Sequence, residues 1–146
     1  VFVVLVWKLT RPPGRRALAA WAMWAAGWSI VLGLALAAAL PFHAVALEHL
    51  VFVGGYGLLT LAIATRVVLG HGRHPVTDEF RVLSIGVVVS LGLALALRVA
   101  AEWLPPRPQL HTLATAAGFW ILAWALWAAG AWPRIRRVAL PGGGAK

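Results

Sequence analysis

Hydrophobic residues in this chain form long runs with at most one charged residue each, and the stretches between the runs are rich in proline and arginine. Four runs of about twenty residues cover about residues 18–40, 50–69, 82–101 and 113–132. A twenty-residue helix is about 30 Å long, which matches the hydrocarbon core of a bilayer. We name the four runs spans A, B, C and D in chain order, and we predict that each one is a transmembrane helix.

Residues 1–7, VFVVLVW, have the pattern of the end of one more apolar span. No signal-peptide pattern with a basic start and a cleavage site is present. All nine prolines fall between or beyond the four spans, as expected for a residue that disrupts helix interiors. We therefore predict an all-α, polytopic transmembrane helical bundle with four complete spans after a truncated first one. Residues 1–146 would form a single region, the C-terminal part of a longer protein whose remaining N-terminal helices are partners of this bundle.

Composition supports a membrane protein. Hydrophobic residues make up 62% of the chain, charged residues 12%, and the mean hydropathy is +0.85. The formal charge of +9 does not indicate a nucleic-acid partner, because the basic residues lie between apolar spans rather than in one patch. The absence of cysteine excludes disulfides, iron–sulfur clusters, covalent c-type haem and thiolate metal ligands.

The distribution of basic residues predicts the orientation of the bundle. Eleven of the thirteen lie before span A, near the connection of spans B and C, or after span D. The other two are Arg98 and Arg107. Because cytoplasmic segments carry an excess of lysine and arginine, we expect the C-terminus in the cytoplasm. In a bacterium the protein would lie in the inner membrane, with the A–B and C–D connections facing the periplasm.

Small residues on two spans indicate where helices approach closely. They are Gly54, Gly57 and Ala64 on span B, and Gly86 and Ser90 on span C. Such residues allow close contact between helix backbones, which is the favoured interpretation. The alternative is that the glycines of span B leave room for a flat cofactor.

All five histidines lie at predicted membrane edges. His43, His49 and His111 fall on the predicted periplasmic side, and His71 and His74 on the predicted cytoplasmic side. In a chain without cysteine, neutral imidazole is the side chain best suited to bind iron or copper. We therefore take His43, His49, His71 and His74 as candidate metal ligands, with His49 and His71 foremost. The alternative is that these residues are interfacial anchors, with His71 stabilising the C-terminal end of its helix.

Spacing along span B separates the two foremost candidates. His49, Thr60 and His71 are eleven residues apart, close to three helical turns each, so we expect them on one face. Along an unbroken helix His49 and His71 would be about 33 Å apart, so they cannot bind the same metal ion. Each would belong to a separate site that other helices complete.

The remaining charged and hydroxyl residues give weaker signals. Arg66 is expected to anchor the end of span B, or to pair with a haem propionate. Arg98 and Glu102 stand four residues apart and are expected to form an ion pair within one helix. No arrangement of serine, histidine and acid or of glycine and lysine indicates hydrolysis or phosphate transfer, so enzyme activity is not predicted.

The segment from His49 to His74 resembles the NnrS family of bacterial membrane proteins. The shared features are a histidine that opens a helix, Gly55-Tyr56-Gly57, Thr60-Leu61, Arg66 four residues before Gly70-His71, and then Gly72-Arg73. The family usually has one more residue between the Gly-His and Gly-Arg pairs, and His74 follows here instead.

The resemblance implies an inner-membrane protein of about twelve helices that binds haem and copper and acts in resistance to nitric oxide. It points to His49 and His71 as cofactor-binding residues, with Arg66 and Arg73 in the flanking pattern. Haem, copper and nitric oxide are thus the implied ligands. The alternatives are a cofactor-free transporter or permease subunit, which would use Arg66 and Glu48, and a purely structural bundle.

Overall fold

A computed structural model describes residues 8–14 and 17–139, which fold into helices connected by short turns. The predicted truncated span at residues 1–7 lies outside the described residues, as do Arg15, Arg16 and Lys146. Helix α1 (Leu18–Ala39) corresponds to span A. Span B is longer than its predicted residues 50–69. It begins with a 3₁₀ turn at Pro41–His43, and it continues through α2 (Ala44–His49), a π-helical segment at Leu50–Gly57, and α3 (Leu58–His71), so His49 lies within the span and does not open it.

A second group of helices completes the bundle. A 3₁₀ turn at Val76–Asp78 and the short helix α4 (Glu79–Val82) connect span B to α5 (Ile85–Ala100), which is followed by a 3₁₀ turn at Ala101–Trp103. The last helix, α6 (Pro106–Ala139), is 34 residues long. Four helical segments are long and apolar enough to cross a membrane: Leu18–Ala39, Pro41–His71, Ile85–Trp103 and Pro106–Arg136. The predicted all-α bundle of four spans is therefore confirmed.

Proline placement differs from the prediction at span D. Helix α6 begins at Pro106 and contains Pro133, so not all prolines lie outside the helices. Pro106 is tolerated because the first turn of a helix leaves its N–H groups unpaired. Pro133 lies within the helix, where the guanidinium of Arg134 donates from Nη1 to the carbonyl of Gly130 at 2.7 Å. A side chain thereby binds a backbone acceptor next to the turn that proline disrupts.

The core is built from small and branched residues of all four spans. Ala19, Ala22 and Ala26 of α1 pack with Leu58, Leu61 and Ala62 of α3, with Leu83, Val87 and Leu91 at and after the start of span C, and with Ala123 of α6. Outward-facing surfaces of the helices are apolar as well, including Phe52, Leu93 and Ile121. This combination is expected of helices that pack through small residues and face lipid.

The π-helical segment lies between spans A and C, where two glycines allow close packing. A Cβ atom at Gly54 would lie 2.8 Å from Leu95 Cδ2 and 3.1 Å from Ser29 Oγ, and one at Gly55 would overlap the side chain of Ile30. The glycine face of span B is thus in contact with its neighbours at these positions. This contact supports the helix-packing interpretation of the glycines over the cofactor slot.

The π turns change which residues share a face of span B. Each π turn contains about one more residue than an α turn, so residues before and after the segment are rotated relative to a regular helix. His49 is partly buried, whereas Thr60 and His71 are exposed. The expectation that His49 shares a face with the other two, which assumed a regular α-helix throughout, is therefore wrong, whereas Thr60 and His71 both lie on α3 and are both exposed.

Candidate functional site

His49 forms hydrogen bonds through both nitrogens of its ring. Nδ1 lies 2.7 Å from the carbonyl oxygen of Val45, one turn earlier, and Nε2 accepts from Arg98 Nε at 2.7 Å. Arginine can only donate, so Nε2 is the acceptor and the proton of the neutral ring is on Nδ1. Span C therefore holds the imidazole of span B in a defined tautomer and orientation.

A cavity of about 310 Å³ opens beside this pair, between spans B, C and D. Its polar lining comes from His49 and Arg98. The rest of the lining is apolar: Val53, Ala94, Ala116, Ala117 and Trp120. An arginine and a neutral imidazole in an otherwise apolar cavity match the usual composition of a ligand site.

The same end of the bundle places His43 near two residues of span C. His43 Nδ1 lies 3.5 Å from Glu102 Oε1, and its ring packs against Trp103 with centroids 5.5 Å apart. The predicted ion pair between Arg98 and Glu102 is wrong, because Arg98 contacts His49 and Glu102 contacts His43. Tertiary partners on span B replace the partner within the helix.

His71 lies at the opposite end of span B. Its Nδ1 is 3.0 Å from the carbonyl oxygen of Val67, again one turn earlier, and the ring is exposed. A shallow surface cavity of about 350 Å³ is lined there by Arg66, Val67, Gly70 and His71. His49 and His71 thus line different cavities, and in each ring Nδ1 is engaged by the preceding turn.

Two further candidates follow His71 in the chain. Arg73 is exposed and adopts a positive φ of 50°, so the residue in the left-handed conformation after the helix is an arginine and not a glycine. The ring of His74 packs so closely on Gly72 that a Cβ there would overlap it. Nε2 of His74 is buried and has no hydrogen-bond partner among the described residues. His74 is therefore set apart from the exposed imidazole of His71.

Arg66 contacts a buried acid that the sequence analysis did not select. Its Nε lies 3.3 Å from Glu79 Oε2, and Glu79 is only 1% exposed. The neighbouring Asp78 contacts Arg134 at 3.3 Å and Arg81 at 3.6 Å. We call the end of the bundle with these contacts the basic end. The sequence signal for this cluster was the pair of acids Asp78 and Glu79 just before span C, at the end of the bundle where most arginines are predicted to lie.

The described residues do not bring together the donor atoms of a metal site. Within residues 8–14 and 17–139, no group of three or more histidine or acidic side chains is arranged to hold a metal ion. Each candidate histidine instead stands apart from the others or beside a single acid. A metal at any of them would need donors from outside the described residues or from the metal's other ligands.

The fold and these sites define a class of protein: a polytopic integral membrane bundle with imidazoles at both ends of one span. A protein-family model, described as NnrS protein, matches residues 1–138. The chain therefore belongs to the NnrS family. No curated protein and no solved structure gives a significant match to it.

Proposed function

We propose that this chain is the haem- and copper-associated part of an NnrS-type protein that acts in the response to nitric oxide. Family membership carries the nitric oxide role. The hydrogen bonds of His49 and its position beside an apolar cavity support a cofactor-binding role for this residue. We further propose that the bundle lies in a bacterial inner membrane with the basic end in the cytoplasm, in line with the positive-inside rule.

The imidazole of His49 suits a ligand of haem iron. Metal-bound histidines usually donate their second ring N–H to a carbonyl or a carboxylate, which fixes the tautomer. His49 has this arrangement, because Nδ1 lies 2.7 Å from the carbonyl oxygen of Val45. Its Nε2 is bound by Arg98 and lies beside the apolar cavity, so a ligand that displaces Arg98 would meet a neutral, oriented nitrogen donor.

His71 is the second candidate ligand, at the basic end. Its Nδ1 contacts the carbonyl of Val67, and its ring is open to the surroundings. Arg66 lines the same shallow cavity, although its guanidinium is in contact with Glu79. Copper or haem at His71 would be completed by helices outside the described residues, with Arg66 and Arg73 available for negatively charged groups.

Haem bound at His49 would supply an iron that takes up nitric oxide. The residues of this chain would orient the His49 imidazole through Val45, exclude water by means of the apolar lining, and present the positive charge of Arg98. Copper does not fit His49 equally well, because no second metal-ligating side chain of the described residues lines the cavity beside it. His43 and His74 are weaker candidates, since His43 contacts Glu102 and His74 is packed under Gly72.

The test uses the intact protein, purified in detergent, with the His49→Ala and His111→Ala variants. His111 is exposed on span D and serves as the matched control. We expect His49→Ala to lower the Soret absorbance per protein and to change the spectral response to nitric oxide, with His111→Ala like the wild type. Unchanged haem content in His49→Ala would contradict the assignment. A colourless and metal-free wild-type protein would contradict the whole proposal and favour a cofactor-free transporter.

A further inference from the structure

Arg98 has a charge that no acidic residue of the described chain balances. Among the described residues, its one hydrogen-bond acceptor is Nε2 of the neutral His49, which receives Nε. Glu102, one turn further along, contacts His43 instead. A guanidinium has five N–H donors, so four remain on the two terminal nitrogens.

The surroundings of Arg98 indicate that its uncompensated charge has a role in binding. Arg98 is partly buried near the end of α5, and the cavity that it lines is otherwise apolar apart from His49. Ionised residues within membrane bundles are costly unless they are paired, and they mark ligand sites more often than packing positions. The fork of a guanidinium matches the two oxygens of a carboxylate, and such pairs are among the strongest hydrogen bonds in proteins.

We propose that the cavity beside His49 binds the carboxylate end of a ligand with an apolar body, and that Arg98 is the residue that receives the carboxylate. The terminal nitrogens of Arg98 would contact the two oxygens, and with a fatty acid its Nε would also remain on His49. The apolar body would lie against the side of the cavity formed by Val53, Ala116 and Trp120.

Two sources can supply this chemistry: a free fatty-acid carboxylate and the propionate of a haem. The haem source rests on the proposed function, whereas the fatty-acid source does not. The two ligands also differ in their effect on the hydrogen bond between Arg98 and His49. A haem bound through Nε2 of His49 requires Arg98 to leave that nitrogen, but a fatty acid does not.

The first experiment measures binding of decanoate and of methyl decanoate to the intact, haem-free protein by isothermal titration calorimetry in detergent. The variants are Arg98→Gln, Arg98→Lys and Arg107→Gln, where Arg107 is an exposed arginine of α6 close to the same end of the bundle. For a fatty-acid source we expect decanoate affinity to fall about 10- to 100-fold in Arg98→Gln, less in Arg98→Lys, and not in Arg107→Gln. Methyl decanoate has no carboxylate and should bind all four proteins equally weakly.

The second experiment loads the same proteins with haem or with haem dimethyl ester and measures the Soret titration. For a propionate source, Arg98→Gln should lower haem affinity about 10- to 100-fold and leave the affinity for the dimethyl ester unchanged. His49→Ala, measured in parallel with the dimethyl ester, reports on the iron ligand, because that ester has no carboxylate for Arg98 to contact. If His49→Ala has no effect and the contrast between haem and its ester persists, the proposed iron ligand is wrong and the carboxylate site stands.

The proposal is overturned if Arg98→Gln binds both decanoate and haem as the wild type does. It is also overturned if Arg107→Gln loses affinity to the same extent as Arg98→Gln, because the effect would then be one of general surface charge. A fall in haem affinity that is equal for the dimethyl ester would likewise contradict a carboxylate contact.

Discussion

Glu79 and Arg66 form a contact of 3.3 Å between Oε2 and Nε at the basic end of the bundle. The other carboxylate oxygen, Oε1, accepts a hydrogen bond of 2.5 Å from the backbone N–H of Ala19, in the first turn of α1. That N–H has no partner within its own helix, and a negative charge near a helix N-terminus is favourable. One side chain of α4 therefore connects the beginning of span A to the end of span B.

Removal of this carboxylate should destabilise the bundle. We expect Glu79→Ala to lower the free energy of unfolding by about 1–3 kcal/mol, because the Ala19 N–H loses its acceptor and Arg66 loses its counterion. Arg66 is 42% exposed, so water compensates for part of the lost ion pair and keeps the effect below that of a fully buried pair. Glu79→Gln should lose less, since its amide oxygen can still accept from Ala19.

Denaturant unfolding in detergent measures both variants. Glu48→Gln is the control, because Glu48 is exposed and should change stability by less than about 0.5 kcal/mol. Wild-type stability in Glu79→Ala would show that the buried carboxylate does not hold the two spans together.

Replacing glycine with alanine should change the stability of the bundle in opposite directions at Gly55 and Gly92. A Cβ at Gly55 would overlap Ile30, so we expect Gly55→Ala to destabilise by about 1–3 kcal/mol. No atom lies within 4 Å of a Cβ at Gly92, so Gly92→Ala should stabilise α5 by up to about 1 kcal/mol through its higher helix propensity. Thermal unfolding followed by circular dichroism compares the two, and a shift of the same sign in both would contradict the packing of span B described above.

Much of the architecture could be predicted from the sequence, because the bilayer sets a length that hydropathy reveals directly. Span A was predicted at 18–40 and is the helix Leu18–Ala39. The π-helical segment at Leu50–Gly57 was not predictable in this way, since it depends on how Gly54 and Gly55 meet spans A and C. That segment also explains why His49 does not lie on the face of span B that regular helical spacing predicts.

The polar contacts were less predictable than the helices. Arg98 and Glu102 have the spacing of a pair within one helix, yet their partners are His49 and His43 on span B. Glu79 has its hydrogen-bond partner at Ala19, sixty residues earlier in the chain. Sequence patterns indicate contacts within a helix, whereas these contacts depend on which helix ends meet. The roles of His49 and His71 as cofactor ligands stay predictions.

Asp78 allows a comparison of two arginines that contact the same carboxylate. Arg134 is 11% exposed and also binds the Gly130 carbonyl, while Arg81 is 76% exposed. We expect Arg134→Gln to cost about 1–3 kcal/mol of unfolding free energy, because a partly buried carbonyl and a partly buried acid lose their donor. Arg81→Gln should cost less than about 0.5 kcal/mol, as is typical of exposed ion pairs. Equal costs, measured by denaturant unfolding at low and high salt, would contradict this difference.

Thr65 and Trp127 connect spans B and D through a hydrogen bond of 2.9 Å from the indole Nε1 to the threonine hydroxyl. Thr65 is fully buried, and its hydroxyl also donates to the Leu61 carbonyl at 2.7 Å. Thr65→Val keeps the shape of the side chain and leaves the indole without this acceptor, while Trp127→Phe removes the donor. A double-mutant cycle on the free energy of unfolding should therefore give a coupling of about 0.6–1.5 kcal/mol, in the range of hydrogen bonds between membrane helices.

The control cycle pairs Thr65→Val with Trp132→Phe, because Trp132 is 59% exposed and should be additive with Thr65 within about 0.5 kcal/mol. If the Thr65–Trp127 cycle is additive to the same extent as the control, the hydrogen bond does not contribute to the association of the two spans.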